Sequence, residues 1–553
     1  MSKLHIMKKL IVAMLIFMQL TSFGSCSKES VIGEETSAPI EIQVQINHIP
    51  VFIQHQTNDI ATLTIKKAGN DQVQMITGIT FHFSDSNVQK VIKSIHLLST
   101  RSENSEHSTR IIGETSDIKQ VSKIIMNQTI LNSHNSLSIS FTVHEDANIE
   151  AKIQIEEVIL EFDNLTKQSV QPNKHSIKLA NVVRQQGQDN CDTYRIPGLV
   201  NTNEGTLIAV YDVRYNNSKD LQEDIDIGMS RSTDGGQTWE PMKIIMDMGE
   251  WGGRPQKLNG IGDPCVLYDN KTNTLWVAAL WMSGANSNDM LWWASSPGMK
   301  PEETGQFVLA KSTDDGLTWS EPINITEQIK DPAWQLLLQG PGRGICTNDG
   351  TLVFPAQFKA NIGEKALDGG QFTSHSTVVY SKDQGRTWHI GRGAKTNTTE
   401  AQVVELTDGS LMLNMRDDRN RKDKGNTNGR AVAITGDLGK TWEMHPSSNQ
   451  ALPESNCMAS IISADIILNG SKKHVLFFSN PNNKIERKNM TIKASFNNGL
   501  TWPEEFQVEL NEKGGYGYSC LTMIDDQTIG ILYEGAKELY FQKIAVSDFL
   551  KNN

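Results

Sequence analysis

The chain runs to 553 residues, 38 % hydrophobic and 21 % charged, with a formal net charge of −12 at pH 7. That length exceeds what one hydrophobic core usually supports, so at least two domains are expected. The acidic balance argues against nucleic acid as a partner and offers no basic surface to an anionic membrane.

At the N-terminus, Lys8 and Lys9 precede an apolar run over residues 10–20 that is too short to span a bilayer comfortably and is followed by small residues. This is the pattern of an export signal over residues 1–26, and it places the mature chain in the periplasm, at the cell surface or outside the cell, with no transmembrane span. Residues 23–26 (FGSC) also resemble a lipoprotein processing site, which would leave a lipid anchor on Cys26; ordinary cleavage nearby is the alternative. The remaining Cys191, Cys265, Cys346, Cys457 and Cys520 are odd in number and lack CxxC or metal spacing. They read as buried small hydrophobes, not as a disulfide framework.

Within an expected N-terminal domain of residues 27–180, apolar side chains recur at every second position over about residues 40–165, as in Ile40, Ile42, Val44 and Ile46 and again in Leu137, Ile139, Phe141 and Val143. Period two predicts a half-buried antiparallel sheet, folded as a small β-sandwich. All eleven Trp and all nine Tyr lie at or after Tyr194. The segment therefore lacks the rings on which sugars stack, and a spacer or packing domain is preferred over a carbohydrate-binding one.

Residues 181–553 are repetitive. Apolar strands open at Thr206, Thr274, Thr351, Ser410, His474 and Thr528, and six such units with several strands each predict a six-bladed β-propeller. Out of phase with them an eight-residue phrase returns five times, at 232–239 (STDGGQTW), 312–319 (STDDGLTW), 381–388 (SKDQGRTW), 435–442 (TGDLGKTW) and 495–502 (SFNNGLTW). Asp or Asn before Gly supplies positive φ for a tight turn, the hydroxyls bond the turn backbone, and the Trp packs beneath. A further glycine-rich turn, residues 340–344 (GPGRG), is expected as a tight loop near the pocket, without a function of its own.

Several arginines fall at matching places in the repeat. Arg214 ends the first apolar strand, Arg416 ends the fourth, Arg487 follows the fifth, and Arg195 enters the first unit within residues 194–197 (YRIP). Equivalent strand ends of a propeller converge on one face near the axis, and guanidiniums gathered there without matching carboxylates call for an anion. A separate structural salt bridge for each Arg is the alternative.

The YRIP phrase, the five repeats, known as Asp boxes, and residues 400–416 (EAQVVELTDGSLMLNMR) together resemble the bacterial sialidases, or neuraminidases, over roughly residues 181–545. The resemblance implies an exo-acting hydrolase that releases terminal α-linked sialic acid from glycans, glycoproteins or glycolipids, with no metal or other cofactor. Sialidases are a known exception among glycosidases in using a Tyr nucleophile, with retention of configuration.

The resemblance puts Arg195, Arg416 and Arg487 on the substrate carboxylate, where planar forks bind bidentately; Arg487 rests on its place before the fifth Asp box. It implies Tyr518 as nucleophile, with Tyr516 as its rival, and Glu400 as the base that a phenol of pKa ~10 requires. Asp220, 25 residues after Arg195, is the implied acid/base. Asp224 and Asp226 are rivals, although they alternate with Ile225 and Ile227 and so read as the polar side of a strand. Glu534 is implied behind Arg195. Arg214 and Asp263 are further pocket candidates, Asp263 being equally a turn residue. Core packing for the two Tyr and a surface carboxylate for Glu400 are the bland alternatives.

Two other functions remain open. A trans-sialidase would share these residues and add an aromatic acceptor platform, for which Trp281, Trp292 and Trp293 are candidates, although blade packing is preferred for them. A sialic-acid lectin would lack Tyr518 or Glu400. No HExxH motif or EF-hand loop is present, and a monomer is the default expectation.

Overall fold

A computed structural model of the protein describes residues 40–550 apart from 68–73, 104–105, 132–133, 222, 284–290 and 469. The export signal and Cys26 lie outside the described residues.

The period-two segment folds into two antiparallel sheets. One is ordered Ile40–Ile46, Asn58–Lys67, His134–Val143, Ile92–Glu103, Glu106–Thr115, and the other Lys167–Val170, Ile155–Phe162, Gln74–Phe83, Val121–Leu131. Their facing apolar rows, Leu63, Ile139 and Phe141 from one and Ile79, Phe81 and Leu160 from the other, are fully buried in one core. This is the sandwich that alternation predicts, because a strand places successive side chains on opposite faces. Its core continues without a break into Tyr194, Leu199, Tyr211 and Phe541 of the second region.

From residue 177 onward the described strands fall into six groups with four main strands each, the third having additional short pieces at Gly342–Arg343, Ile345–Cys346 and Lys395–Thr396. The first is Thr193–Asn201, Leu207–Arg214, Ile225–Ser232 and Lys243–Met246; the next four follow in chain order with the same antiparallel connections. The sixth joins Ser519–Met523, Thr528–Glu534 and Leu539–Ala545 to Ile177–Arg184, so its outer strand comes from the start of the region. The six apolar strands read from the sequence are the second strand of each group. The first strands contact one another around a central axis, giving a β-propeller whose ring closes between its first and last segments.

Each Asp box is the turn between the third and fourth strands of a blade. In the second box Ser312 Oγ donates to Asp314 Oδ1 (2.7 Å) and accepts from Gly316 N (2.9 Å), while Thr318 N donates to Oδ1 (2.9 Å). In the fifth box Asn497 replaces Asp, and the contact reverses so that Asn497 Nδ2 donates to Thr501 Oγ1 at 2.9 Å. The glycine at the fifth position of each box sits at φ +77° to +88°. A Cβ on Gly236 would collide with Phe541, and one on Gly385 with Trp276, so these two turns seat on an aromatic ring of the preceding blade, while those at Gly316, Gly439 and Gly499 seat against Ile208, Val378 and Met412. Five boxes serve six blades because the sixth blade's fourth strand is not consecutive with its third. The five described cysteines are unpaired, and all but Cys346 are buried.

Candidate active site

Backbone irregularities aim the site. Three first strands carry a β-bulge where a candidate residue sits: between Arg195 and Gly198, between Gly262 and Cys265, and between Thr398 and Ala401. A bulge bends a strand and redirects its side chains. Ile196 and Asp263 take left-handed φ of +58° and +57° as a result. Tyr518 is aimed differently. Gly517, at φ +89°, has no room for a Cβ between Pro481, Arg487 and Cys457, and it turns the chain into the strand Ser519–Met523.

These elements bring Asp220, Asp263, Glu400, Arg416, Arg487 and Tyr518 to one cavity of about 310 Å³. Tyr518 Oη donates to Glu400 Oε1. Arg416 Nη1 donates to Glu400 Oε2 (2.6 Å) and to Tyr518 Oη (3.2 Å), closing a triangle, and its Nη2 donates to Asn456 Oδ1 (3.0 Å). Arg416 Nε is buried without a partner. The Cζ atoms of Arg195 and Arg487 lie 5.2 and 5.6 Å from the centre of the Tyr518 ring. Burial and the Glu400 carboxylate push the Tyr518 hydroxyl well above its ordinary pKa, so the phenol is neutral at rest.

Glu534 does more than stand behind Arg195. Its carboxylate is wholly buried and accepts from Arg195 Nε (3.1 Å) and Ile196 N (2.9 Å) on one oxygen and from Tyr518 N (2.9 Å) on the other. One side chain thus ties the first blade to the main chain of Tyr518. Arg487 has no ion pair among the described residues; it donates to the carbonyls of Tyr516 (2.9 Å) and Asn456 (3.1 Å). Tyr516 lies with its ring 4.4 Å from Arg195 Cζ and does not line the cavity.

Asp220 stands at the mouth with its side chain 56 % exposed, accepting from Arg195 Nη1 (2.6 Å) and Arg214 Nη1 (2.7 Å). Desolvation pushes its carboxyl up, but the two guanidiniums outweigh that and hold it below the usual carboxylate range. Arg214 is buried and does not line the cavity. It grips Asp212 Oδ2 through Nε and Nη2 and donates to the carbonyls of Ser218 and Lys219, fixing the loop that carries Asp220. Asp224 and Asp226 are pushed up to about 6 and about 7 by burial and by Asp247, values that suit an acid catalyst, yet neither lines the cavity, and Asp226 accepts from Tyr215 Oη at 2.8 Å. Asp263 lines it, and burial together with Asp212 and Asp220 pushes its carboxyl well up.

The three tryptophans separate. Trp281 is fully buried and packs edge-on to Trp251 at 4.5 Å, as blade packing predicts. Blade packing does not describe the other two: Trp292 and Trp293 line the cavity, and Trp293 is 50 % exposed. They sit on the short helix Leu291–Ala294, held over Lys359 Nζ at 4.1 and 4.7 Å from their ring centres, with Trp292 Nε1 donating to Asp368 Oδ2 (2.9 Å). The turn at residues 340–344 also departs from expectation. Leu338 before it reaches the cavity, but Arg343 opens into a different one. Sequence reasoning missed Asn456, Asp212 and Glu534's bond to Tyr518 N. Asp212 had a signal, since a strand puts it on the same face as Arg214; Asn456 had none.

Residues 205–532 match the family model of the BNR repeat-like domain. A sialidase of Bacteroides fragilis (strain YCH46) is 55 % identical over 370 residues, which cover 67 % of this chain and 65 % of that protein. A sialidase of Micromonospora viridifaciens is 32 % identical over 352 residues, 63 % of this chain and 50 % of that protein. The chain thus spans about half to two thirds of the length of these relatives. The solved structure of the Hadza microbial sialidase Hz136 is 40 % identical, with a TM-score of 0.81 over 91 % of this chain and 99 % of that one. A repeat model matched from the first blade to the last, and a bacterial sialidase 55 % identical over two thirds of the chain, place this chain in the BNR-repeat family, among the bacterial sialidases.

Proposed function

We propose that the protein is a retaining exo-α-sialidase acting on terminal sialic acid of glycans, glycoproteins or glycolipids. The observation that carries this reading is the triangle of Tyr518, Glu400 and Arg416 in a cavity that Arg487 also lines, with Arg195 beside it, its Cζ 5.2 Å from the centre of the Tyr518 ring. Sialic acid bears a carboxylate on its anomeric carbon, and three guanidiniums match that anion by charge-assisted bonds. A carboxylate nucleophile would meet the substrate's own negative charge at this carbon; a neutral phenol does not.

Tyr518 Oη attacks the anomeric carbon as Glu400 takes its proton, the bond to the leaving oxygen breaks, and Asp220 protonates that oxygen. Water, deprotonated by Asp220, then displaces Tyr518, which recovers its proton from Glu400. The Arg195 and Arg214 guanidiniums keep Asp220 ionised before substrate enters. A substrate carboxylate draws on the Arg195 charge, and Asp220 can then hold the proton it must deliver. The test is fluorophore release from 4-methylumbelliferyl α-sialoside, with proton NMR of the first sugar released. The α anomer of free sialic acid appearing first supports retention; the β anomer appearing first defeats the mechanism, and folded protein that binds sialic acid without turnover defeats the enzyme and leaves a lectin.

Transfer to a sugar acceptor is a second reading, favoured by the half-exposed Trp293 ring on the cavity wall. Formation of sialyllactose when lactose is added separates it from hydrolysis. Residues 27–180 act as a packing domain in this reading, and residues 1–26 as an export signal. Incorporation of labelled palmitate distinguishes a lipidated Cys26 from plain cleavage.

A further inference from the structure

The strands that bring catalytic groups to one face of the propeller line a second cavity at the other end of the axis. Four to five residues beyond Ile196, Asp263, Leu338, Glu400 and Tyr518, on the order of 15 Å along a strand, come Asn201, Tyr268, Arg343, Glu405 and Thr522 around a space of about 290 Å³. Every blade contributes, the fifth through Ile461–Ser463 residues of its first strand.

Arg343 reaches this cavity because the turn before it is stripped of side chains. A Cβ on Gly340 would lie 2.5 Å from the Ala401 carbonyl, one on Gly342 2.6 Å from Met458, and one on Gly344 2.6 Å from the Val353 carbonyl. The Pro341 carbonyl accepts from Gln402 Nε2 at 2.7 Å, and the main chain is thereby pinned against the fourth blade. Arg343 Nη1 donates to the Leu521 carbonyl at 3.3 Å, while Nε is buried without a partner. Among the described residues no carboxylate lies within ion-pairing distance of Arg343. Glu405 lines the same cavity, but its Oε2 accepts from Asn348 N at 2.9 Å in the adjoining turn. The nearby thiols of Cys265 and Cys520 are pushed upward by burial and stay neutral. Arginine does not shed its proton in proteins, so this guanidinium holds an uncompensated charge at the wall of the second cavity.

We propose that this second cavity binds a small oxyanion, a phosphate or a carboxylate, on Arg343, with Asn203, Ser463 and Thr522 among the polar groups around it. The shared chemistry is a planar fork of donors meeting two oxygens of one anion.

The test is the thermal midpoint of the mature protein in tens of millimolar inorganic phosphate or acetate, against sodium chloride at equal ionic strength, for the wild type, Arg343→Met and Arg343→Lys. Because the active-site arginines also attract anions, the quantity read is the difference between wild type and Arg343→Met. A rise larger by about 1–2 °C in the wild type, partly kept by Lys, supports the site, and whichever of phosphate or acetate gives it identifies the source. Equal rises in wild type and Arg343→Met, or none in either, overturn it. Crystals soaked in selenate check the location independently: an anomalous peak at the Arg343 guanidinium is expected, and peaks confined to Arg195, Arg416 and Arg487 refute the proposal.

Discussion

The rim and the axis of this propeller are built on opposite principles. At the rim, every Asp box closes within eight residues, and the bond from the turn glycine N to the first-position Ser or Thr hydroxyl recurs in all five. At the axis nothing repeats: Arg195 meets Glu534 across 339 residues of chain, and Tyr518 meets Glu400 across 118. Local, repeated bonds fix the frame. Single, distant bonds fix the chemistry, so damage to the two regions should register in different measurements.

The largest expected effect is at the axis. Tyr518→Phe should lower kcat by about a thousandfold with little change in thermal midpoint, and residual turnover near wild type would assign the nucleophile elsewhere. Glu534→Gln keeps the shape but removes the charge behind Arg195. It should reduce kcat/KM by about a hundredfold, because one substitution disturbs both an arginine and the Tyr518 main chain; a change in KM alone would confine Glu534 to substrate binding. At the rim, Asp234→Ala should lower stability by about 1–2 kcal/mol through the lost turn bonds while leaving kcat intact, and a fall in kcat would blur the division between the regions.

The smallest effect is a pH-dependent one in the first blade. Asp226 is raised to about 7 by burial first and Asp247 second, so the folded protein binds this proton more tightly than the unfolded chain, whose Asp titrates near ~4. Its contribution is favourable at low pH and is lost as pH rises toward 7. Asp226→Asn should therefore raise the thermal midpoint at pH 8 and make little difference at pH 5. An equal gain at both pH values would show that charge is not the cause.

This division explains what the sequence revealed. The boxes and second strands were legible because their determinants are local: a positive-φ glycine, a hydroxyl two residues before Asp, an apolar run. Equivalent strand ends pointed to Arg214 and Arg416, of which Arg416 lines the cavity, while the triad of Arg195, Arg416 and Arg487 came from the resemblance. Asn456 was not legible, since it lies outside any repeat and acquires its role only when Arg416 and Arg487 arrive from different blades. Trp293 misled because a Trp near a blade strand is usually core, and here a one-turn helix turns it outward. Asp220, placed by the resemblance and preferred because Asp224 and Asp226 read as the polar side of a strand, is the one of the three that lines the cavity, whereas a raised pKa points to the other two.

The strand Ile177–Arg184 has a consequence in time. It pairs in parallel with Val51 and Phe52 at its start and antiparallel with Leu539–Ala545 at its end. Synthesis delivers it more than 350 residues before its second partner, and the contacts that finish the ring are thus among the last to become available. Tyr518 and Glu534 arrive with that same final segment. In the order of synthesis Arg195 comes first, Arg416 and Arg487 follow with the fourth and fifth blades, and the triangle of Tyr518, Glu400 and Arg416 cannot close until the last blade is made.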